Sequence, residues 1–261
     1  MRHLAGSEKS RAFFVLFVLA LAGLMAGLFG NVAPVAAQGA QPKTKVNPTD
    51  GLTYVFIAPG SFQMGCSAND KDCTDYEKPA HQVTITQGFW IGQTPVTQVA
   101  YKKVMGNNPS IFVGDQLPVE QVSWANASAY CGKVGMRLPT EAEYEFAARA
   151  GNAGPRYGAV DTIAWYSANN GLRLHPVAQK QANAYGLYDM LGDVWEWVSD
   201  WNGKYTAAAA TDPKGPAEGR AHVLRGGSRT TVDSALRVSN RTWMVDGQRD
   251  DIDYGFRCAG N

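Results

Sequence analysis

Several absences narrow what this 261-residue chain can do. Cysteine is missing between Gly132 and Arg257, and no CxxC pair occurs anywhere, which argues against a structural zinc site. There is no G-x-S-x-G elbow and no P-loop, so neither the common serine-hydrolase turn nor the common phosphate cradle is present. Histidine is scarce. Outside His3, only His81, His175 and His222 occur, in separate motifs and without H-x3-H spacing. Charged residues make up 18%, below the usual quarter, and the net charge is +1 with no basic stripe, so no nucleic acid partner is expected. Between Gly227 and Gly255 there is no Lys, Glu or Pro.

What is present begins with an export pattern. Arg2, His3, Lys9 and Arg11 form a basic start, Ala12 to Phe29 is an uncharged apolar run, and Val35-Ala36-Ala37 is a small-residue cleavage site. Residues 1–37 are therefore expected to be a signal peptide, with a periplasmic, cell-surface or secreted destination. A retained anchor is the alternative, since about 18 apolar residues nearly span a bilayer, and an uncleaved segment would be the one membrane contact expected. Residues 38–50, polar with two prolines, read as a linker. Residues 51–261, about 210 in number, suffice for one sizeable core.

All four cysteines lie in the exported part, so two disulfides are expected, with three possible pairings. Joining Cys66 to Cys73 would close the polar loop SANDKD. Joining Cys131 to Cys258 would tie a central helix to the last strand and constrain the unfolded chain by about 4–5 kcal/mol.

TYVFIAPGSFQMG alternates and turns at Pro59-Gly60, which predicts a hairpin, and HQVTITQGFWIG predicts a second strand pair. Helical periods follow, with Thr97, Ser123 and Thr140 as N-caps; Thr140 and Glu143 make a capping box. The carboxylates Glu141, Glu143 and Glu145 suit the first turns of that helix. A long aperiodic region runs to VWEWVSDW, and it requires a bound ion or buried tryptophans to hold it. HVLRGGS and YGFRCAG predict two late strands.

The motifs GSFQMG, EKPAHQVTI, PVT, PVEQVSWANASAYC, RLPTEAEYEFAARAG, YGLYDMLGDVWEWVSDW, DPKGP, LRGGS and GFRCA occur in this order. Together they resemble the formylglycine-generating enzyme family of sulfatase-modifying factor domains, over nearly all of residues 51–261. The resemblance implies an α+β, loop-rich, C-type-lectin-like fold. It also implies a Cys131–Cys258 bond, leaving Cys66 with Cys73.

The family's oxidases hold copper with two thiolates placed a few residues after RGGS and five apart. Those places fall on Thr231 and Leu236, which cannot bind copper, so no copper and no catalytic residue is expected. A second branch uses non-haem iron held by histidines of an added helical domain; a metal-dependent oxidoreductase with a non-standard site is the alternative reading. The resemblance also implies calcium, with Asp193 and Glu196 of GDVWEW as oxygen donors and Asn169 as part of a second site.

In the segment 228–254, Arg237, Arg241 and Arg249 are placed to brace loops through carboxylates or carbonyls. Between them lie Thr, Val, Asp, Ser, Ala, Ile and Tyr without period, and Trp243 and Met244 add large anchors. This mixture resembles a binding surface for a protein or other surface ligand. Its expected contact residues are Arg229, Thr230, Thr231, Asp233, Trp243, Met244, Asp246, Gln248, Asp250, Asp251, Ile252, Asp253 and Tyr254. The segment is also similar to the diversified region of variable proteins of diversity-generating retroelements, whose mutagenesis alters adenines of asparagine codons. Thr, Val, Asp, Ser, Ala, Ile and Tyr are all reachable in that way.

Overall fold

The alternating segment Thr53–Ile57 (β2) buries Tyr54, Val55 and Ile57, and Phe89–Gly92 (β5) lies antiparallel to it. The computed structural model describes residues 41–245 and 253–261. Residues 1–40, which include the expected signal peptide, and residues 246–252 lie outside them, and with the latter go Asp246, Gln248, Arg249, Asp250, Asp251 and Ile252. A short strand, Thr44–Val46 (β1), adds to one side of β2, and Ala259–Gly260 (β11) adds to the other side of β5. Residues 44–46 therefore belong to the fold rather than to a linker, and Asn47 and Asp50 after them are buried.

The two predicted hairpins form differently. Gly60–Met64 (β3) pairs with His81–Ile85 (β4), and β2 pairs with β5. The turn at Pro59-Gly60 carries the chain from one sheet to another, so each strand finds its partner in the other predicted pair. Adjacency in sequence sets neither choice; the buried faces of Val55, Ile57, Val83 and Ile85 do, because all four enter one apolar cluster. Ala210–Thr211 (β7) extends the β3–β4 sheet in parallel with β4.

A further sheet has the order β10-β6-β8-β9, from Tyr254–Gly255 (β10), Trp195–Trp201 (β6), Ala221–Arg225 (β8) and Arg241–Val245 (β9). β9 had no alternating signal, since Arg241 and Trp243 lie on a strand whose burial is only partial.

Three helices form where their caps predict. Gln98–Met105 (α1) starts at Thr97 and ends at Gly106 with φ 85°. Trp124–Lys133 (α2) starts at Ser123. Glu141–Arg149 (α3) carries the Thr140–Glu143 capping box, and its left-handed stop falls on Ala150, one residue before Gly151. A fourth, short helix spans Val160–Ile163 (α4). Both disulfides form as implied, Cys66–Cys73 and Cys131–Cys258. The second joins α2 to the chain end inside an apolar cluster with Tyr101, Tyr130, Trp197 and Phe256.

The helix dipole does not account for the α3 glutamates. Every residue of α3 is buried, and its carboxylates are matched by arginines: Glu141 and Glu145 by residues far along the chain, Glu145 also by Arg149 one turn on, and Glu143 by Arg137 just before the helix. Arg225 reaches Glu145 at 2.5 Å and Arg241 reaches Glu141 at 2.7 Å. On β6, Glu196 takes two 2.7 Å bonds from Arg257. Arg237 forks onto Glu77, which also accepts from Ser239 at 2.7 Å. Burial would raise the Glu77 carboxyl, but the bonds from Arg237 and Ser239 outweigh it and hold the group below the usual carboxylate range.

Arg257 and Glu196 are both fully buried, so removing one partner strands a charge. Arg257→Met should destabilise the protein by about 3–5 kcal/mol in chemical denaturation, and adding Glu196→Leu should restore much of that loss. Asp200 behaves in the opposite way to Glu77. Its burial, together with Glu141, pushes its carboxyl up to about 7. A folded value above the unfolded one means that the native state favours the protonated form. Its stabilising effect is full below about pH 4 and is lost as pH rises towards 7, with a slope near 1.4 kcal/mol per pH unit. Asp200→Asn should flatten that part of the stability profile between pH 5 and 7.

Candidate functional site

The segment from Arg225 begins with two glycines that no other residue could replace without displacement. Gly226 (φ 91°) and Gly227 (φ 79°) lie in the left-handed region. A β-carbon on Gly226 would meet the Tyr144 hydroxyl at 2.6 Å, and one on Gly227 would meet Leu236 Cδ2 at 2.7 Å. Thr231 lies 3.4 Å from that same point, so Thr231 and Leu236 converge on Gly227. Thr231 Oγ1 accepts from the Ser228 amide at 2.9 Å, and Leu236 is wholly buried in the core. The two positions at which the resemblance places thiolates are brought together here, carrying a hydroxyl and an isobutyl group.

Around this turn the expected contact residues divide into two groups. Arg229 and Asp253 are buried and form a 2.8 Å ion pair. Asp253 Oδ2 also accepts from Ser228 Oγ at 3.1 Å and Thr230 Oγ1 at 2.9 Å. The Arg229 guanidinium sits 4.9 Å over the Phe112 ring, and its carbonyl accepts from Asn170 at 2.5 Å. Tyr254 is buried, edge-on to Trp197. Arg229, Asp253 and Tyr254 thus differ from the expectation of an exposed face: their side chains fasten the turn, because a charge or phenol at such depth must find an internal partner.

The second group reaches solvent. Thr230 and Asp233 are exposed, with Asp233 held by Arg156 at 2.6 Å. Val232 between them is 56% exposed. Trp243 and Met244 are half-buried on β9, and Trp243 packs against the edge of Tyr76 at 4.7 Å. Tyr76 follows the Cys66–Cys73 loop, and Arg237 and Arg241 tie that region to the C-terminal segment through Asp70, Glu77 and the Tyr76 carbonyl. The bracing expected of Arg237 and Arg241 is therefore present.

Sequence reading missed four exposed apolar residues beside these. Tyr76 is one. Ile111 and Val113 flank the Phe112 that supports Arg229, and Leu172 follows the Asn170 that binds the Arg229 carbonyl. The signal was there in SIFVGD and NNGLRLH, where isolated large apolar residues stand in polar loops without a helical or strand period to bury them.

The residues expected to hold calcium have other partners. Both Glu196 oxygens bond Arg257, and Oε1 also accepts from Tyr144 at 3.1 Å. Glu196 could ligate a cation only by leaving a buried guanidinium unmatched, so this donor set does not fit the ion. Asn169 closes a tight turn, accepting from the Tyr166 amide at 2.8 Å and donating to the Ala164 carbonyl at 3.0 Å. Asp193 is buried with φ 59° and accepts from the His175 amide at 3.2 Å; burial and the neighbouring Asp189 raise its carboxyl well above the usual range. Asp189 accepts from Ala178 at 2.7 Å, and burial pushes it up to about 6. Together these two aspartates hold the aperiodic loop, with Trp165 stacked on His175 at 3.7 Å. Among the described residues no group of three or more His, Cys, Asp or Glu side chains could hold a metal ion. His81 bonds the Pro79 carbonyl at 3.2 Å, and His222 is sandwiched between Trp124 and Trp201.

The profile of the sulfatase-modifying factor enzyme 1-like domain matches residues 38–261. The formylglycine-generating enzyme of Streptomyces coelicolor is 31% identical, over 88% of this chain and 96% of its own length. The serine/threonine-protein kinase pkn1 of Chlamydia caviae is 33% identical over 84% of this chain, which spans 40% of that longer relative. Among solved structures, Treponema denticola variable protein 1 has a TM-score of 0.76 and 31% identity, covering 84% of this chain and 98% of its own. PvdO from Pseudomonas aeruginosa has a TM-score of 0.72 and 26% identity, covering 85% and 99%.

Convergence on Gly227 can be tested by restoring the sulfurs. The Thr231→Cys/Leu236→Cys double variant should take up about one Cu(I) per chain in competition with a chromophoric chelator, where the unmodified protein takes up none. Failure of the double variant to compete would show that the two positions do not meet.

Proposed function

The chain belongs to the sulfatase-modifying factor enzyme 1-like domain family, and on that premise we propose that it is an exported ligand-binding protein rather than a thiol oxidase. The observation that carries this reading is the pairing at Gly227. The family's metal-binding positions hold Thr231 and Leu236, while exposed apolar residues crowd the loops around them. Within the described residues the proposed binding face comprises Thr230 to Ser234 and β9 from Trp243. Tyr76, Ile111, Val113 and Leu172 extend it beyond the C-terminal segment.

The physics favours binding on this face. Arg225, Arg229, Arg237 and Arg241 hold the loops from beneath, so little order remains to be imposed when a partner arrives. Exposed side chains such as Val232 and Ser234 can be exchanged without disturbing those pairs, whereas Thr230 shares Asp253 with Arg229. This suits a partner on another protein or surface, and the likeness to a protein named for its variability supports a diversified segment here. The N-terminal apolar run supports delivery across a membrane.

Three measurements test the reading. With copper and a cysteine peptide the protein should form no aldehyde; turnover would overturn the proposal. The DNA beside the gene should hold a near copy of the coding sequence for 228–254, with asparagine codons at the variable positions and a reverse transcriptase close by. Trp243→Ala should weaken capture of a cognate partner at least about tenfold. The melting temperature should fall by only about 2–4 °C, as loss of the Tyr76 contact implies.

A further inference from the structure

A cavity of about 380 Å³ lies beneath the DPKGP loop, away from the Gly227 turn. Met64, Trp201, Tyr205 and Pro216 supply apolar and aromatic walls, and Asp200 and Glu141 supply carboxylates. These two acids differ. Glu141 is matched by both Arg241 nitrogens, at 2.7 and 2.9 Å, and by the Tyr205 hydroxyl at 3.0 Å. Asp200 is only 3% exposed, and its Oδ2 accepts from the Glu141 amide at 2.9 Å and from Ser199 Oγ at 2.8 Å. Among the described residues its Oδ1 receives no hydrogen bond, and no lysine or arginine forms an ion pair with it. That oxygen lies under Gly215, whose β-carbon would stand 3.2 Å from it. The loop is pinned at its start, where Asp212 accepts from the Thr86 amide at 2.8 Å.

Asp200 is a buried side chain with one oxygen left open to an aromatic-walled cavity, and that oxygen can take a hydrogen-bond donor, best of all a cation that also lies against the rings. Three cations line the cavity: Arg241 is buried and bound to Glu141, and Lys204 and Lys214 are exposed. A ligand that satisfies both ends has an ammonium group directed inward and a carboxylate directed outward, joined by a short alkyl chain along the walls. From this arrangement we infer that the cavity is a binding site for a small ω-amino acid, with Asp200 as ammonium acceptor and Lys204 and Lys214 as carboxylate partners.

The probe is 6-aminohexanoate, titrated at pH 8 into the full exported chain and followed by amide chemical shifts. Shifts should concentrate at Asp200, Tyr205 and Lys214–Pro216. Asp200→Asn should weaken binding about tenfold or more. Lys204→Glu/Lys214→Glu, both on the surface, should weaken 6-aminohexanoate about threefold or more and strengthen 1,6-diaminohexane by a similar factor. Hexanoate should bind at least about tenfold more weakly than the zwitterion. If Asp200→Asn does not fold, the lysine reversal and the shift map decide the matter. No binding at 10-millimolar order (~10 mM), equal affinity for hexanoate, an unchanged preference after lysine reversal, or shifts confined to other regions would each overturn the assignment.

Discussion

Buried arginine–carboxylate pairing is the constraint on which the rest of this protein depends. Glu141 and Glu145 on α3 and Glu196 on β6 sit in the interior, where an isolated charge is very unfavourable. Each is matched by an arginine from the last forty residues of the chain: Arg241, Arg225 and Arg257 respectively. The same guanidiniums then collect backbone carbonyls, most of them in loops. Arg225 binds those of Val238, Ser239 and Asn240, and Arg257 binds those of Gly92, Tyr188 and Asp189. Loop backbone that would otherwise need water is thereby built into the core.

This arrangement explains how a domain with little regular structure can present a stable face. The pairs lie beneath the loops and use their charges inward, so the outward side chains carry few structural duties. Thr230, Val232 and Trp243 can face a partner because Arg229, Asp253 and Arg241 already fasten the backbone behind them. The loss of the sulfur pair fits the same picture. Leu236 fills the space against Gly227 with core-like packing, and Thr231 uses its hydroxyl to close the turn, so both positions now serve shape.

Asp200 differs from the acids beside it. Its neighbours Glu141 and Glu143 have guanidinium partners, whereas Asp200, like Asp189 and Asp193 in the aperiodic loop, has none among the described residues. A buried acid left in that condition keeps one oxygen turned to a cavity, which is the physical basis for inferring a small-molecule site apart from the face proposed at the C-terminal segment.

Much of the architecture was legible from local chemistry. Thr97, Ser123 and Thr140 marked helix starts because a capping hydroxyl acts within three residues, and the glycines after Arg225 marked a turn because a positive φ is a property of one residue. The nine ordered motifs identified the family, and with it the Cys131–Cys258 bond. Strand partnership was not legible. β2 and β3 are adjacent in sequence yet belong to different sheets, and β9 carries no alternation, because pairing is decided by which distant edge offers unpaired backbone and a matching apolar face. The roles of Glu196, Arg229 and Asp253 were also hidden, since an acid or an arginine looks the same in sequence whether it faces a ligand or a buried counter-charge. Sequence alone determined the caps, the turns and the lack of cysteine at positions 231 and 236, all of which depend on the chemistry of one residue or its near neighbours. Only the tertiary structure decided which charges are spent inside and which side chains are left facing solvent, because burial is a property of the whole fold.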